Sequence, residues 1–112
     1  MAKAMTPSDI CPMELGIHVL SGKWKLGILW NIYQKKTVRF NELQRLLGSV
    51  TTKTLTEQLR ELEEMKIIER KIYAEVPPKV EYSLSSIEET LEPLLRALCE
   101  WGTEYREKIK NT

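Results

Sequence analysis

Hydrophobic residues recur at helical spacing in the first third of the chain. Trp24, Ile28 and Ile32 are each four residues apart, which places them on one face of a helix. Pro12 marks the start of an earlier helix, because the missing N–H of proline has no intrahelical partner at the first helical position. The pattern predicts two N-terminal helices within residues 12–34.

Two further helices, separated by a short polar turn, are predicted within residues 41–66. Asn41 suits the N-cap of the first helix, and Gly48 suits its end. Thr51 or Thr52 caps the second helix, since a threonine oxygen accepts a hydrogen bond from a free backbone N–H. The second helix has a polar face opposite an apolar face formed by Leu55, Leu59 and Leu62. Two helices joined by a tight turn are typical of a helix-turn-helix.

Residues 67–84 show the alternation expected of half-buried strands. The alternating apolar positions are Val80, Tyr82 and Leu84. Pro77 and Pro78 interrupt the segment and cannot donate to a strand ladder, so they are predicted to lie at the tip of a hairpin. Residues 38–40 are a further short strand candidate. A hairpin that directly follows a helix-turn-helix is a wing.

The last predicted helix spans residues 86–110 and carries a long apolar stripe. Its members, three or four positions apart, are Leu91, Leu94, Leu98, Trp101 and Tyr105. A stripe of about four turns is longer than a small domain readily covers, so we expect it to contact a second chain. Pro93 is expected to kink this helix or to mark its true start.

The length and composition indicate a single domain, residues 1–112. No apolar run approaches the roughly 18–20 residues needed to cross a bilayer, and residues 1–10 lack the apolar core of a signal peptide. We therefore expect a cytoplasmic protein without a membrane partner. Two cysteines are too few for a disulfide scaffold or a structural zinc site, and we expect no cofactor.

The net charge of +1 conceals an uneven distribution of charge. Eight basic and two acidic residues lie between Lys23 and Arg60, so this span carries +6 and the remainder carries −5. A local basic surface on a nearly neutral protein is expected of a sequence-selective DNA-binding protein. Solvated lysines on ordinary helix faces are the alternative interpretation.

The second helix of the helix-turn-helix has the features of a DNA-reading helix. The major groove, about 12 Å wide, admits one α-helix that buries one face and offers polar groups near its N-terminus. The candidate DNA-binding residues are Arg39, Thr51, Thr52, Lys53, Thr54, Thr56, Glu57 and Arg60, with Lys71 and Lys79 of the wing meeting phosphates. Lys53, Thr56 and Arg60 are the first choice for bases and phosphates. Glu57 either accepts from a cytosine amino group or pairs with Lys53 or Arg60.

Three segments resemble the HxlR-type winged helix-turn-helix regulators, which are related to the MarR group. The segments are CP…SGKWKLGIL, VRFNELQRLLGSVTTKTLTEQLRELEEMKIIER and VPPKVEYSLS, and the match runs from about Cys11 to Trp101. The resemblance implies a mainly α fold with a small β-hairpin wing (α+β), and N- and C-terminal dimerisation helices that include Leu15. One departure is Ile87-Glu88, where the family usually has a glycine, and it affects only the start of the last helix.

The function implied is that of a bacterial transcriptional regulator, a homodimer that reads an inverted repeat in double-stranded DNA. Its half-sites would lie about one helical turn apart. The alternative is a winged-helix module that binds another protein and not DNA, although such a docking face is usually less basic. An enzyme is disfavoured because no set of nucleophile, base and orienting residue is evident.

Cys11 is the candidate sensor of an oxidant effector. A thiol at a helix N-terminus lies at the positive end of the helix dipole, which favours the reactive thiolate. The resemblance implies oxidant or electrophile sensing by a cysteine near this position in several members. In a dimer, Cys11 would reach the second Cys11 or Cys99 of the partner subunit; the alternative is an inert thiol.

The remaining candidate residues have simpler interpretations. Cys99 is expected to pack, and His18 to lie at a surface or interface. A small-molecule effector cavity lined by Trp24, Trp30 and Trp101 is the alternative to a role of these residues in the core.

Overall fold

A computed structural model gives the fold of residues 10–111. Its elements are α1 (Pro12–Leu20), α2 (Lys25–Lys35), β1 (Thr37–Val38), α3 (Phe40–Leu47), α4 (Thr52–Glu64), β2 (Ile68–Tyr73), β3 (Lys79–Leu84) and α5 (Glu88–Lys110). The prediction of a mainly α fold with a small β wing is confirmed. Residues 1–9 and Thr112, which belong to the predicted single domain, lie outside the described residues.

The N-terminal helices differ in how far they are buried. Cys11 is the N-cap of α1 and Pro12 is its first residue, as predicted, but none of the residues of α1 is fully buried. In α2, by contrast, Ile28 and Ile32 are completely buried. At Gly27 a Cβ atom would lie 3.3 Å from a side-chain carbon of Leu47, so a glycine there allows α2 and α3 to approach closely.

The helix-turn-helix forms with one difference from the predicted caps. Thr51 caps α4, and its Oγ1 accepts a hydrogen bond from the backbone N–H of Thr54 at 3.1 Å. Gly48 follows α3 with φ of +86°, a conformation that glycine adopts without steric cost. However, α3 begins at Phe40 with Arg39 as its N-cap, so Asn41 lies inside the helix and does not cap it.

The sheet has three strands, in the order β1-β3-β2, and both pairings are antiparallel. The predicted hairpin supplies β2 and β3, with Ile68 opposite Leu84 and Tyr73 opposite Lys79. The short strand β1 is displaced from the predicted residues 38–40, since Phe40 already belongs to α3. β1 joins the wing to the core through the buried side chain of Val38.

The first turns of α5 belong to the domain core, and its remainder projects from it. Leu91 and Leu95 are buried, so Leu91, which was predicted to contact a second chain, is largely covered by its own chain. Pro93 lies inside the helix and does not mark its start. With 23 residues, α5 is about 34 Å long, and every residue from Arg96 to Asn111 is exposed. Within residues 10–111, no helix has the length and apolar character needed to span a bilayer.

Candidate nucleic-acid interface

The helix α4 separates a leucine face from a polar face. Leu55, Leu59 and Leu62 are buried, whereas the polar face, formed by Lys53, Thr56, Glu57 and Arg60, is exposed. Among the described residues, Glu57 forms no ion pair with Lys53 or Arg60. The charged groups of this face are therefore available to an external partner.

The threonines at the start of α4 also have local hydrogen bonds. Thr51 is the cap described above, and Thr52 Oγ1 accepts a hydrogen bond from Gln44 Nε2 of α3 at 3.1 Å. The hydroxyl of Thr56 donates to the carbonyl oxygen of Thr52 at 2.7 Å. The bond from Gln44 ties the N-terminus of α4 to α3, whereas the other two lie within the first turns of α4. Thr54 is half-buried and so is the least accessible of the predicted threonines.

The two predicted wing lysines both lie close to one aromatic ring. The Nζ atoms of Lys71 and Lys79 lie 4.9 Å and 4.8 Å from the centre of the Tyr73 ring. The Tyr73 hydroxyl donates to Glu81 at 2.9 Å, and Lys79 pairs with Glu81 at 3.5 Å. The hydrogen bond from Tyr73, followed by the charge of Lys79, lowers the pKa of Glu81 below its ordinary value. Lys71 is the more exposed of the two lysines, and in the described residues it has no acidic partner.

Arg39 lies at the N-terminus of α3, beside the tip of the wing. A cavity of about 590 Å³ is lined by Arg39 together with Glu75, Pro77, Pro78 and Val80. The structure therefore places Arg39, a predicted DNA-binding residue, next to the wing. The sequence pattern did not predict this proximity.

A second cleft, of about 360 Å³, separates α4 from the wing. Thr56 and Arg60 line it from α4, and Arg70 and Tyr82 line it from the strands. Arg70 pairs with Glu63 of α4 at 3.4 Å. Partial burial raises the pKa of the Tyr82 hydroxyl. Sequence reasoning missed Arg70, although its place in a strand next to Lys71 predicts that the two side chains leave opposite faces of the sheet.

One lysine of the basic span is buried. Lys25 is 6% exposed, and its Nζ lies 2.7 Å from an oxygen of Glu61, so its charge does not add to the exposed basic surface. This burial was also missed. The signal was present in the sequence, since Lys25 precedes Ile28 by three residues and Leu29 by four and therefore lies on the buried face of α2.

Apolar side chains are exposed on both α1 and α5. On α5 they include Leu94, Leu98, Trp101 and Tyr105, of which Trp101 is 61% exposed. The rings of Trp101 and Tyr105 stack, with centroids 5.1 Å apart. Met13 and Ile17 are exposed on α1, and Leu15 is half-buried. A largely apolar cavity of about 540 Å³ is lined by Pro12, Met13, Gly16, Ile17, Leu20, Ser21, Leu26 and Leu94, so these two apolar surfaces adjoin.

Both cysteines are exposed free thiols. The expectation that Cys99 packs is thus wrong, because it lies in the part of α5 that projects from the core. A cavity of about 280 Å³ includes Cys99, Trp30 and Leu98 in its lining, whereas Trp101 is exposed on α5.

His18 is exposed. In residues 10–111, no cluster of three or more histidine, cysteine or acidic residues is arranged to hold a metal ion.

Comparison with known proteins identifies close relatives of this architecture. Residues 19–110 match the family described as HxlR-like helix-turn-helix. The HTH-type transcriptional regulator YybR of Bacillus subtilis (strain 168) is 46% identical over 101 residues, covering 90% of this chain and 80% of YybR. The redox regulator HypR in its reduced form superposes with a TM-score of 0.83 at 41% identity, covering 91% of this chain and all of HypR. The HTH-type transcriptional regulator ytcD superposes with a TM-score of 0.81 at 42% identity, covering 88% of this chain and 99% of ytcD.

Proposed function

Since the chain belongs to the HxlR-like helix-turn-helix family of transcriptional regulators, we propose that it binds double-stranded DNA sequence-selectively as a homodimer. The proposal rests on the two different faces of α4. Its leucines are buried, while Lys53, Glu57 and Arg60 are exposed without an ion pair among the described residues. A helix with this division fits the major groove and presents donors and an acceptor to base edges and phosphates.

The groups around α4 supply the contacts that place the protein on the duplex. Arg39, Lys71 and Lys79 lie beside or on the wing, where we expect them to meet backbone phosphates. Lys79 contributes less than Lys71, because Glu81 already neutralises part of its charge. Arg70 joins this set from the cleft between α4 and the wing, and its pairing with Glu63 reduces its contribution as Glu81 reduces that of Lys79.

The homodimer forms through α1 and the projecting part of α5. Leu94, Leu98, Trp101 and Tyr105 leave a continuous apolar surface exposed on an isolated chain, and such surfaces mark interaction sites. Leu15 joins this interface from α1. A two-fold dimer presents two copies of α4, which read an inverted repeat with half-sites about one helical turn apart.

The dependence of binding on salt tests the DNA proposal against a protein-docking module. Apparent affinity for duplex DNA is measured by fluorescence anisotropy from low to moderate salt. Each phosphate that the protein neutralises contributes a slope of about −0.9 to the plot of log affinity against log salt, so several contacts give a steep decline. A flat response would instead support a module that docks on another protein.

We also propose that Cys11 makes DNA binding responsive to oxidants. Its thiol is exposed at the N-cap of α1, beside the apolar surface assigned to the dimer. The superposable protein HypR is a redox regulator whose reduced and oxidised forms are both known. In the proposed reaction, two thiols lose two protons and two electrons to diamide and form one disulfide. Cys11 pairs either with the second Cys11 or with Cys99 of the partner subunit.

Oxidation by diamide is expected to weaken operator binding about tenfold or more, and dithiothreitol is expected to restore it. The physical reason is that a covalent bond across α1 changes the relative placement of the two α4 helices. Cys11→Ser should abolish the response. In the Cys99→Ser control, retention of the response assigns the disulfide to two Cys11 residues, and its loss assigns it to the mixed pair. An undiminished response in Cys11→Ser contradicts the assignment of Cys11.

A further inference from the structure

Lys25 is the one charged side chain that is buried among residues 10–111. Its Nζ donates to Oε1 of Gln58 at 2.9 Å and to Oε1 of Glu61 at 2.7 Å. An ammonium group is costly to bury unless it is paired and hydrogen-bonded, and both partners are supplied by α4. The first residue of α2 is therefore tied directly to the helix that carries the proposed DNA contacts.

The two partners of Lys25 occupy a defined side of α4. At 3.6 residues per turn, Gln58 and Glu61 lie on one flank of the helix, between its leucine face and its polar face. Glu63 lies on the opposite flank, where it pairs with Arg70 of β2. Ion pairs thus hold α4 from both sides, and together they restrict its rotation about its own axis.

The contacts of Lys25 connect α4, through α2, to the rest of the domain. α2 packs against α3, β1, β3 and α5, whereas α4 packs chiefly against β2. Gly22, in the turn that precedes α2, has φ of +114°, and a Cβ there would lie 3.7 Å from Oε1 of Gln58. The turn between α1 and α2 therefore lies against the same flank of α4.

We propose that Lys25 is a positioning residue for DNA reading: it fixes the rotation of α4 about its axis, and so sets operator affinity without touching DNA. This inference rests on the proposed function. Base contacts require each donor to lie within hydrogen-bonding distance of one atom, so a small rotation of α4 breaks them. Attraction to phosphates has a longer range and tolerates the same rotation.

Lys25→Met is the variant that isolates this role. Methionine has an unbranched side chain of similar length, and it fits an apolar site without a charge. Glu61, whose side chain is 52% exposed, stays in contact with water when its partner is removed. The variant therefore leaves no isolated buried charge, and we expect it to fold. Lys23→Met is the matched control, since it removes the same charge from an exposed side chain two residues away.

The experiment measures affinity for a selected operator and for an unrelated duplex with the full-length wild type, Lys25→Met and Lys23→Met. Relative to Lys23→Met, we expect Lys25→Met to lose about tenfold in operator affinity while affinity for the unrelated duplex changes by less than about twofold. Equal operator affinities of the two folded variants would overturn the inference, as would an equal loss on both duplexes. If Lys25→Met does not fold, Glu61→Gln replaces it: it keeps an acceptor but removes the charge, and unchanged discrimination would overturn the inference.

A DNA-free measurement tests the structural premise of this inference, and the binding data separate its failure from failure of the proposed function. Hydrogen exchange of the α4 amides is compared in the same variants without DNA, and faster exchange in Lys25→Met than in Lys23→Met is expected. If the wild type selects no duplex, the proposed function fails and the role of Lys25 in reading DNA fails with it, whatever the exchange rates. If the wild type binds its operator and Lys25→Met binds it equally well, only the role of Lys25 fails.

Discussion

Lys53→Ala and Arg60→Ala are each expected to weaken operator binding by about 1–3 kcal/mol, because each removes a cationic donor from the exposed face of α4. Lys53 lies in the first turn of the helix, and Arg60 lies about two turns further on, in the cleft beside the wing. Neither side chain has an ion pair among the described residues, so its removal leaves no acidic group of the protein without a partner. The loss should therefore appear in DNA binding and not in the free energy of unfolding.

The dependence of the lost affinity on DNA sequence and on salt distinguishes a contact with a base edge from a contact with a phosphate. A residue that contacts a base edge should relax the preference at one position of the operator, whereas a phosphate contact should weaken all sequences alike and lower the salt slope by about one unit. Lys35→Ala is the control, because it removes an equal charge from the exposed last residue of α2. Losses no larger than that of Lys35→Ala would refute the assignment of α4 as the reading helix.

Trp101→Ala is expected to weaken the homodimer by about 2–4 kcal/mol, the range of a central aromatic residue in an interface. Trp101 stacks on Tyr105 and is 61% exposed in the isolated chain, although a tryptophan side chain gains most from burial. Burial of this pair against a second chain would account for its position. Sedimentation velocity over a range of protein concentrations measures the change in the dissociation constant.

The control for this variant is Glu100→Ala, which alters an exposed residue that lies about 100° around α5 from Trp101 and outside the apolar stripe. Only the tryptophan variant should dissociate at low concentration. It should also bind an inverted repeat less tightly than the wild type, while its affinity for an isolated half-site is retained. A Trp101→Ala protein that stays dimeric at the lowest measurable concentration would show that the dimer is held elsewhere.

The sequence pattern predicted the elements whose determinants are local. The leucine face of α4, its cap at Thr51 and the proline start of α1 follow from spacing and hydrogen-bonding capacity within a few residues. The helix-turn-helix and the wing were predictable for the same reason. The prediction failed at Asn41: a good capping residue was present, but the N-cap is Arg39, two residues earlier, and α3 begins at Phe40.

Features that depend on tertiary contacts could not be predicted in the same way. Spacing placed Leu91 on the same stripe as Leu98, but only the packing of α5 shows that the domain covers the first and not the second. The partner of Lys25 lies 36 residues away at Glu61, a distance at which no local pattern operates. The contacts of Tyr73 with Lys79 and Glu81 likewise require the register of the hairpin, which brings Tyr73 opposite Lys79.

Selection from a pool of random duplexes shows whether this chain reads a DNA sequence with α4. The purified reduced protein is incubated with the pool, bound DNA is recovered over several rounds, and the enriched sequences are compared with those from a Lys53→Ala, Arg60→Ala double variant. We predict that the wild type enriches an inverted repeat with half-site centres about one helical turn apart, and that the double variant loses this enrichment. A wild-type protein that enriches no common sequence, or a double variant that enriches the same repeat equally well, would contradict the account.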